Sequence, residues 1–182
     1  MKNCFLLYNF IHTSTAMKFR DLPDWDARRP SRFLSEDETA DEWKTSETTA
    51  ACKAMYAQWQ QVVYLLNGIL PEEKDGQNDK DGYRAMVAGD IWNDVHLAAV
   101  KMLSSEVVHY VGKMENAAII RKCAQDVALA LWSLQDEDEG SGLDESHRLV
   151  LRAEIDKFRE LYKKWIGSFH KDEHEDEWGL FV

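Results

Sequence analysis

Apolar residues recur every three or four positions along four long segments of the chain. The clearest of these stripes comprises Leu151, Ile155, Phe158, Tyr162, Trp165 and Phe169. At 3.6 residues per turn, this spacing places all members of a stripe on one face of an α-helix. The pattern predicts helices over about residues 36–70, 81–103, 106–134 and 143–170.

The other three segments have equivalent inner faces. The stripe of the second begins at Tyr83 and Val87, and the stripe of the third includes Ile120, Val127 and Leu131. The alternation of apolar and polar residues that is typical of strands does not extend over a useful length. Short polar connections favour antiparallel neighbours, so we predict an all-α, antiparallel up-down-up-down four-helix bundle.

The boundary between the second and third helices can be interpreted in two ways. Ser104 and Ser105 are followed by Glu106, an order that is typical of a helix end and a new N-terminal cap. Under this interpretation, which we favour, the third helix begins at Glu106. Alternatively, the apolar residues Val107 and Val108 continue one very long helix.

Two segments flank the predicted bundle. Residues 17–35 contain Pro23 and Pro30 and show no helical period, so we expect an extended lead-in that lies along the bundle. Residues 176–182 read DEWGLFV and end in an apolar run. Because an apolar run is unfavourable in water, we expect this C-terminal tail to pack on the bundle itself or on a partner.

Composition and charge limit the classes of function. The chain has 182 residues, which suits one domain, assigned here to residues 17–182, and a formal net charge of -11. Phosphate backbones and anionic lipid surfaces attract clustered Lys and Arg, so binding to nucleic acid or to a membrane is not expected. Three cysteines without a Cys-x-x-Cys pair favour reduced thiols, and therefore a cytoplasmic protein.

The first 16 residues have two interpretations. Lys2 precedes a short apolar run, which loosely imitates an export signal. Asn9 interrupts that run, and Met17 opens a stretch that is typical of an ordinary protein start. We therefore expect Met17 to be the natural initiator and residues 1–16 to be a start-site extension, with export as the alternative.

No common nucleotide-binding, hydrolase or zinc motif occurs, but one pair of residues is compatible with metal chemistry. Glu106 and His109 have the i, i+3 spacing found in carboxylate-bridged di-iron bundles. In an antiparallel bundle His170 and Glu47 lie at the same end, and such ligands suit iron, manganese or zinc. Because a second Glu-x-x-His pair is missing, we favour a solvated helix end without a cofactor. A transition-metal site is the alternative hypothesis.

A polar pair farther along the helices supports another alternative. Asp94 and Arg121 flank the inner faces of the second and third helices, where a small-molecule sensor would place its ligand cavity. A buried polar residue such as Asn116 more often fixes the register of neighbouring helices. We therefore favour a structural role for these side chains.

Aromatic side chains outside the predicted stripes are candidates for a protein interface. Trp92 lies away from the stripe of the second helix, and Trp178, Leu180 and Phe181 lie in the tail. Exposed aromatic residues mark interfaces when they cluster. For Trp92 we favour the alternative that the lead-in or the tail covers it. With no catalytic motif present, the apolar tail favours a non-enzymatic module that binds a protein partner or a second copy of itself.

Two stretches in the second half of the chain resemble the sequences of a known group of proteins. They are MENAAIIRKCAQD at residues 114–126, and FRELYKKWIGSF at residues 158–169 followed by EWGLF. Together they resemble bacterial helical-bundle proteins of uncharacterised function. The resemblance covers the last two predicted helices and the tail. It implies a bundle fold and a bacterial cytoplasmic source, and it implies no activity or catalytic residue.

Overall fold

Helices account for most of the described chain. The computed structural model describes residues 21–26, 47–70, 79–133, 145–172 and 176–180. The helices are α1 (Glu47–Ile69), α2 (Asp79–Ser104), α3 (Tyr110–Ser133) and α4 (Glu145–Gly167). These described residues contain no strand. The predicted all-α fold class is therefore confirmed, while the predicted first turns of helix 1, at residues 36–46, lie outside the described residues.

The four helices form a bundle in which two pairs pack most closely. α2 packs along α3, and α1 packs along α4. Contacts between α1 and α2 and between α3 and α4 are less extensive. Each helix therefore has two neighbours, as expected for the predicted up-down-up-down bundle.

Hydrogen bonds between α1 and α2 show that these helices are antiparallel. The Cys52 thiol donates to the backbone carbonyl of Met102 over 3.5 Å. Farther along α1, the indole N–H of Trp59 donates to the carbonyl of Val95 over 3.1 Å. Moving forward along α1 therefore means moving backward along α2.

Polar contacts also fix α3 against its two neighbours. The buried amide of Asn116 donates to the hydroxyl of Ser104, at the end of α2, over 3.3 Å. The phenol of Tyr162, late in α4, donates to the carbonyl of Ala117, early in α3, over 2.8 Å. Asn116 thus links two helices at one level, which supports the predicted role in helix register.

The break between α2 and α3 is present, but α3 begins about one turn later than the sequence predicted. The hydroxyls of Ser104 and Ser105 donate to the carbonyl of Lys101, over 3.2 and 2.6 Å. Both serines therefore complete the end of α2 instead of capping the start of α3. Glu106 lies in the connection, and α3 starts at Tyr110.

Aromatic rings occupy the centre of the bundle. The rings of Trp59 and Phe158 lie 4.8 Å apart, and the edge of one ring meets the face of the other between Trp165 and Phe169 at 4.7 Å. Apart from Tyr56, which the periodic pattern did not include, the largest fully buried side chains were predicted as inner residues of the four helices: Trp59, Trp165, Phe158, Met55, Leu66, Ile91, Met102, Ile120, Leu151, Val62 and Val95. Tyr83 was also predicted as an inner residue, but it faces away from the core and is 51% exposed.

The short described part of the lead-in lies against α1. The phenol of Tyr56 donates to the carbonyl of Pro23 over 2.5 Å, and its ring lies 5.3 Å from that of Trp25. Asp26 forms an ion pair with Lys53 on the surface of α1 at 2.6 Å. The prediction that the lead-in lies along the bundle is confirmed for residues 21–26.

Candidate functional site

The metal-ligand candidates lie at one end of the bundle but do not form the predicted helical pair. Glu106 and His109 lie in the connection that precedes α3. Spacing of i, i+3 places two side chains on one face only within a helix, so this basis for the pair is absent. His170 is exposed and follows the end of α4. Among the described residues, no three His, Cys, Asp or Glu side chains are grouped so that they could hold a metal ion.

Asp172, which follows α4, caps the N-terminus of α3. Its carboxylate Oδ2 accepts a hydrogen bond of 2.8 Å from the backbone N–H of Tyr110 and lies 3.5 Å from Nδ1 of His109. The first amides of a helix lack partners within the helix, and the helix dipole favours an acid there. At the same end of the bundle, Thr48 of α1 donates to the carbonyl of Ser168 over 2.8 Å.

Trp92 is a core residue. Only 3% of its surface is exposed, and its ring centroid lies 6.2 Å from that of His96. α2 packs on both α1 and α3, so its buried face is wider than a single stripe and includes Ala88 and Ala99. This burial contradicts the hypothesis that Trp92 is an exposed interface residue, and it agrees with the favoured interpretation that the ring is covered.

The tail forms a tight turn in which two large apolar side chains are exposed to solvent. This tail turn comprises residues 176–180. The Asp176 carboxylate accepts hydrogen bonds from the backbone N–H groups of Trp178 (3.0 Å) and Leu180 (2.5 Å). Gly179 has a φ of +64°, a left-handed conformation that favours glycine. Trp178 is 84% exposed and Leu180 73% exposed, so this part of the tail does not pack on its own bundle. The fourth interface candidate, Phe181, lies outside the described residues.

Asp94 pairs with a thiol across the contact between α2 and α3. The thiol of Cys123 donates a hydrogen bond to the Asp94 carboxylate. Burial raises the pKa of Asp94, and repulsion from Asp126 raises it further. Burial and the neighbouring carboxylate of Asp94 raise the pKa of Cys123 to about 12. Arg121, the other residue of the predicted sensor cavity, is exposed on the surface of α3.

A cavity of about 110 Å³ lies where α3 ends and α4 begins. The guanidinium of Arg148 lies 4.3 Å from the ring centroid of Trp132, the distance of a cation–π contact. Nη1 of Arg148 is buried and has no hydrogen-bond partner among the described residues. Neither residue belongs to an apolar stripe, so helical periodicity alone does not indicate that they meet. Their contact ties the end of α3 to the start of α4.

Comparison with known proteins provides no family assignment. The chain matches no protein-family model, no curated protein and no solved structure. Among the described helices, none combines the length and the apolar character needed to cross a membrane. The properties of the described residues are therefore the basis for inferring function.

Proposed function

We propose that the chain is a non-enzymatic helical module that binds another protein, and that the tail turn is the contact. The observation that carries this proposal is the exposure of Trp178 and Leu180, at 84% and 73%. Contact between water and large apolar side chains is unfavourable, and fully burying one leucine side chain contributes about 1.5–3 kcal/mol. Tryptophan is also among the residues that contribute most to protein interfaces.

Hydrogen bonds within the tail turn support a defined shape without a partner. Asp176 accepts two backbone hydrogen bonds through its carboxylate, and its carbonyl accepts a third from the N–H of Gly179 over 2.9 Å. Association otherwise requires the entropy of a flexible segment to be lost on binding. A turn that already holds its shape loses less, which supports a role as a recognition element.

The charge of the tail limits the chemistry of the partner. Asp176 and Glu177 precede Trp178 directly, and the whole chain has a formal net charge of -11. Complementary potentials favour a partner surface with the opposite sign. We therefore expect an apolar pocket for Trp178 that is bordered by Lys or Arg side chains.

The thiols support a reducing compartment as part of the same proposal. Cys52 and Cys123 are both buried, and neither forms a disulfide within the described part of the chain. Buried cysteines outside disulfides are common in cytoplasmic proteins, where thiols are kept reduced. Together with the resemblance to bacterial helical-bundle proteins, this supports a cytoplasmic protein of bacterial origin.

The proposal is tested by finding a partner and then measuring its affinity with purified components. The tagged full-length chain is used to capture proteins from the source cells, and each captured protein is purified and titrated by calorimetry. We expect at least one direct partner whose Kd rises tenfold or more with Trp178→Ala and Leu180→Ala. The proposal fails if no captured protein binds directly, or if both variants bind as tightly as the parent chain.

A control variant separates the tail turn from general surface effects. Tyr64 lies on the outer side of α1 and is 75% exposed, so Tyr64→Ala removes a similarly exposed aromatic ring from a different surface. We expect this variant to bind with unchanged Kd. Equal loss of affinity with Tyr64→Ala and Trp178→Ala would contradict a specific role for the tail turn.

A further inference from the structure

The solvent-facing side of α2 carries a regular stripe of its own. Steps of three and four residues alternate along it, which is the spacing of a helix-packing seam. Its apolar members are 40% to 57% exposed. The stripe, called here the α2 outer stripe, consists of Tyr83, Met86, Asp90, Asn93, Leu97 and Val100.

The α2 outer stripe lies opposite the face that α2 buries in the bundle. The buried face contains Ile91, Val95 and Met102, each with no exposed surface. At about 100° per residue, the centres of the two faces are separated by roughly 160° around the helix axis. α2 is therefore two-sided, and one of its apolar sides has no neighbour within the described chain.

The outer surface of α4 shows what an ordinary solvated face looks like in this protein. Arg152 lies 3.5 Å from Asp156, Arg159 lies 3.6 Å from the same carboxylate, and Lys163 lies 2.9 Å from Glu160. Paired charges of this kind suit a helix surface that remains in water. On the α2 outer stripe the single charged residue, Asp90, forms no ion pair within the described part of the chain.

The order of apolar and polar residues along the α2 outer stripe is the same when it is read from either end. From either end, two apolar residues are followed by two polar residues and then by two apolar residues. When two such stripes pack antiparallel and in full overlap, Tyr83 lies level with Val100, and Met86 lies level with Leu97. At the centre, Asp90 of each copy lies level with Asn93 of the other.

We propose that the α2 outer stripe is the contact between two copies of this chain, packed antiparallel about a two-fold axis. The amide of Asn93 then donates to the Asp90 carboxylate of the other copy, once on each side of the axis. Parallel packing would instead bring the two Asp90 carboxylates together, which is unfavourable. The partner is therefore a second copy because the stripe complements itself. This contact is independent of the tail turn.

The contact involves one face of a single helix, which rises roughly 26 Å from Tyr83 to Val100. We expect such a contact to bury less than about 1,200 Å², the range that is typical of weak and transient association. The dimer should therefore dissociate on dilution. The formal net charge of -11 on each copy also opposes association.

Sedimentation velocity of the full-length chain over a wide concentration range tests the proposal. We expect a reversible equilibrium between monomer and dimer. Asn93→Lys should lower the dimer Kd at least tenfold, because it creates two Asp–Lys contacts in the antiparallel arrangement. Asn93→Asp should raise the Kd at least tenfold, because it places two carboxylates opposite Asp90. In a parallel dimer, Asn93→Lys would instead bring the two lysines together and weaken association. Tighter association of this variant therefore distinguishes the antiparallel arrangement from the parallel one.

Matched controls separate this effect from net charge and from folding. Gln125→Lys and Gln125→Asp make the same charge changes at an exposed position of α3, and each should change the Kd less than threefold. Circular dichroism should show equal helical content in all variants. A parent chain that stays monomeric up to millimolar concentration overturns the proposal, and so do Asn93 variants that merely follow the Gln125 controls. If Trp178→Ala and Leu180→Ala abolish the dimer while Asn93→Asp does not, the self-contact belongs to the tail turn and not to α2.

Discussion

The Asp172 carboxylate accepts a hydrogen bond from the backbone N–H of Tyr110, a residue 62 positions earlier in the chain. This bond connects the segment that follows α4 to the first residue of α3. A side chain from another part of the protein therefore satisfies one of the first amides of α3, which have no partner within the helix. The end of α4 is thereby tied to the start of α3.

Replacing Asp172 tests the strength of this remote cap. Asp172→Ala should lower the free energy of unfolding by about 1 kcal/mol, the usual effect of losing a helix cap. Asp172→Asn should lower it less, because its amide oxygen can still accept the hydrogen bond. Urea unfolding measures both changes, with Lys171→Ala as the control at an exposed neighbour. A parent-like midpoint for Asp172→Ala contradicts the cap.

The same substitution at two tryptophans compares the core with the tail turn. Trp59 is fully buried and donates a hydrogen bond to the carbonyl of Val95, whereas Trp178 is 84% exposed. Trp59→Phe should lower the free energy of unfolding by about 2–3 kcal/mol through the lost hydrogen bond and the space left behind. Trp178→Phe should change it by less than about 0.5 kcal/mol. Similar losses in the two urea titrations would show that the tail turn packs on the bundle.

The raised pKa of Cys123 predicts a thiol that reacts slowly while the protein is folded. The thiolate is the nucleophile, and a pKa of about 12 leaves almost none of it at pH 8. We therefore expect iodoacetamide at pH 8 to label Cys123 only after unfolding in urea, with the site identified by mass spectrometry. Rapid labelling of Cys123 in the native protein contradicts the prediction.

The Cys123 thiol also makes stability depend on alkaline pH. Its pKa rises from an ordinary 9.0 to about 12 in the folded chain, so the folded chain holds this proton more tightly than the unfolded chain. The stabilisation is complete below pH 9 and is lost as the pH rises toward 12. Urea midpoints should therefore fall across this interval more steeply for the parent than for Cys123→Ala.

Asp94 provides a prediction at the opposite end of the pH scale. Burial raises the pKa of this carboxyl above its ordinary 3.8, so folding favours the protonated form. The favourable contribution is complete below pH 3.8 and is lost as the pH rises through the folded pKa. Asp94→Asn should therefore raise the urea midpoint at pH 7, and the gain should shrink toward pH 3.8. An equal gain at both pH values would assign the effect to something other than the charge.

Helical periodicity is sufficient to predict the core of each helix. Residues such as Trp59, Ile120 and Phe158 are spaced by the geometry of their own helix, and each is buried. This information is local, because it depends only on neighbours three or four positions away. The number of helices and most inner residues therefore follow from the amino-acid sequence alone.

Features that depend on the neighbours of a helix could not be derived in this way. Trp92 is buried although it lies away from the stripe of its helix, and α2 packs on two neighbours rather than one. Asp172 caps a helix from a distant segment, which no local pattern records. The α2 outer stripe is different, since its spacing can be read from the sequence. The structure adds that Tyr83, which the sequence assigned to the inner face of this helix, belongs to the exposed side.

The close pairing of α1 with α4 has a consequence for the newly made protein. α2 and α3 are adjacent in the chain and can pair as soon as α3 leaves the ribosome, but α1 must wait for the last helix. The roughly 100 residues between the end of α1 and the end of α4 take about 5–20 s to synthesise. During that interval the side of α1 that contains Trp59 lacks α4, the helix against which α1 packs most extensively in the folded protein. A chain truncated before α4 would keep that face exposed, where chaperones and proteases can recognise it as a mark of incomplete synthesis.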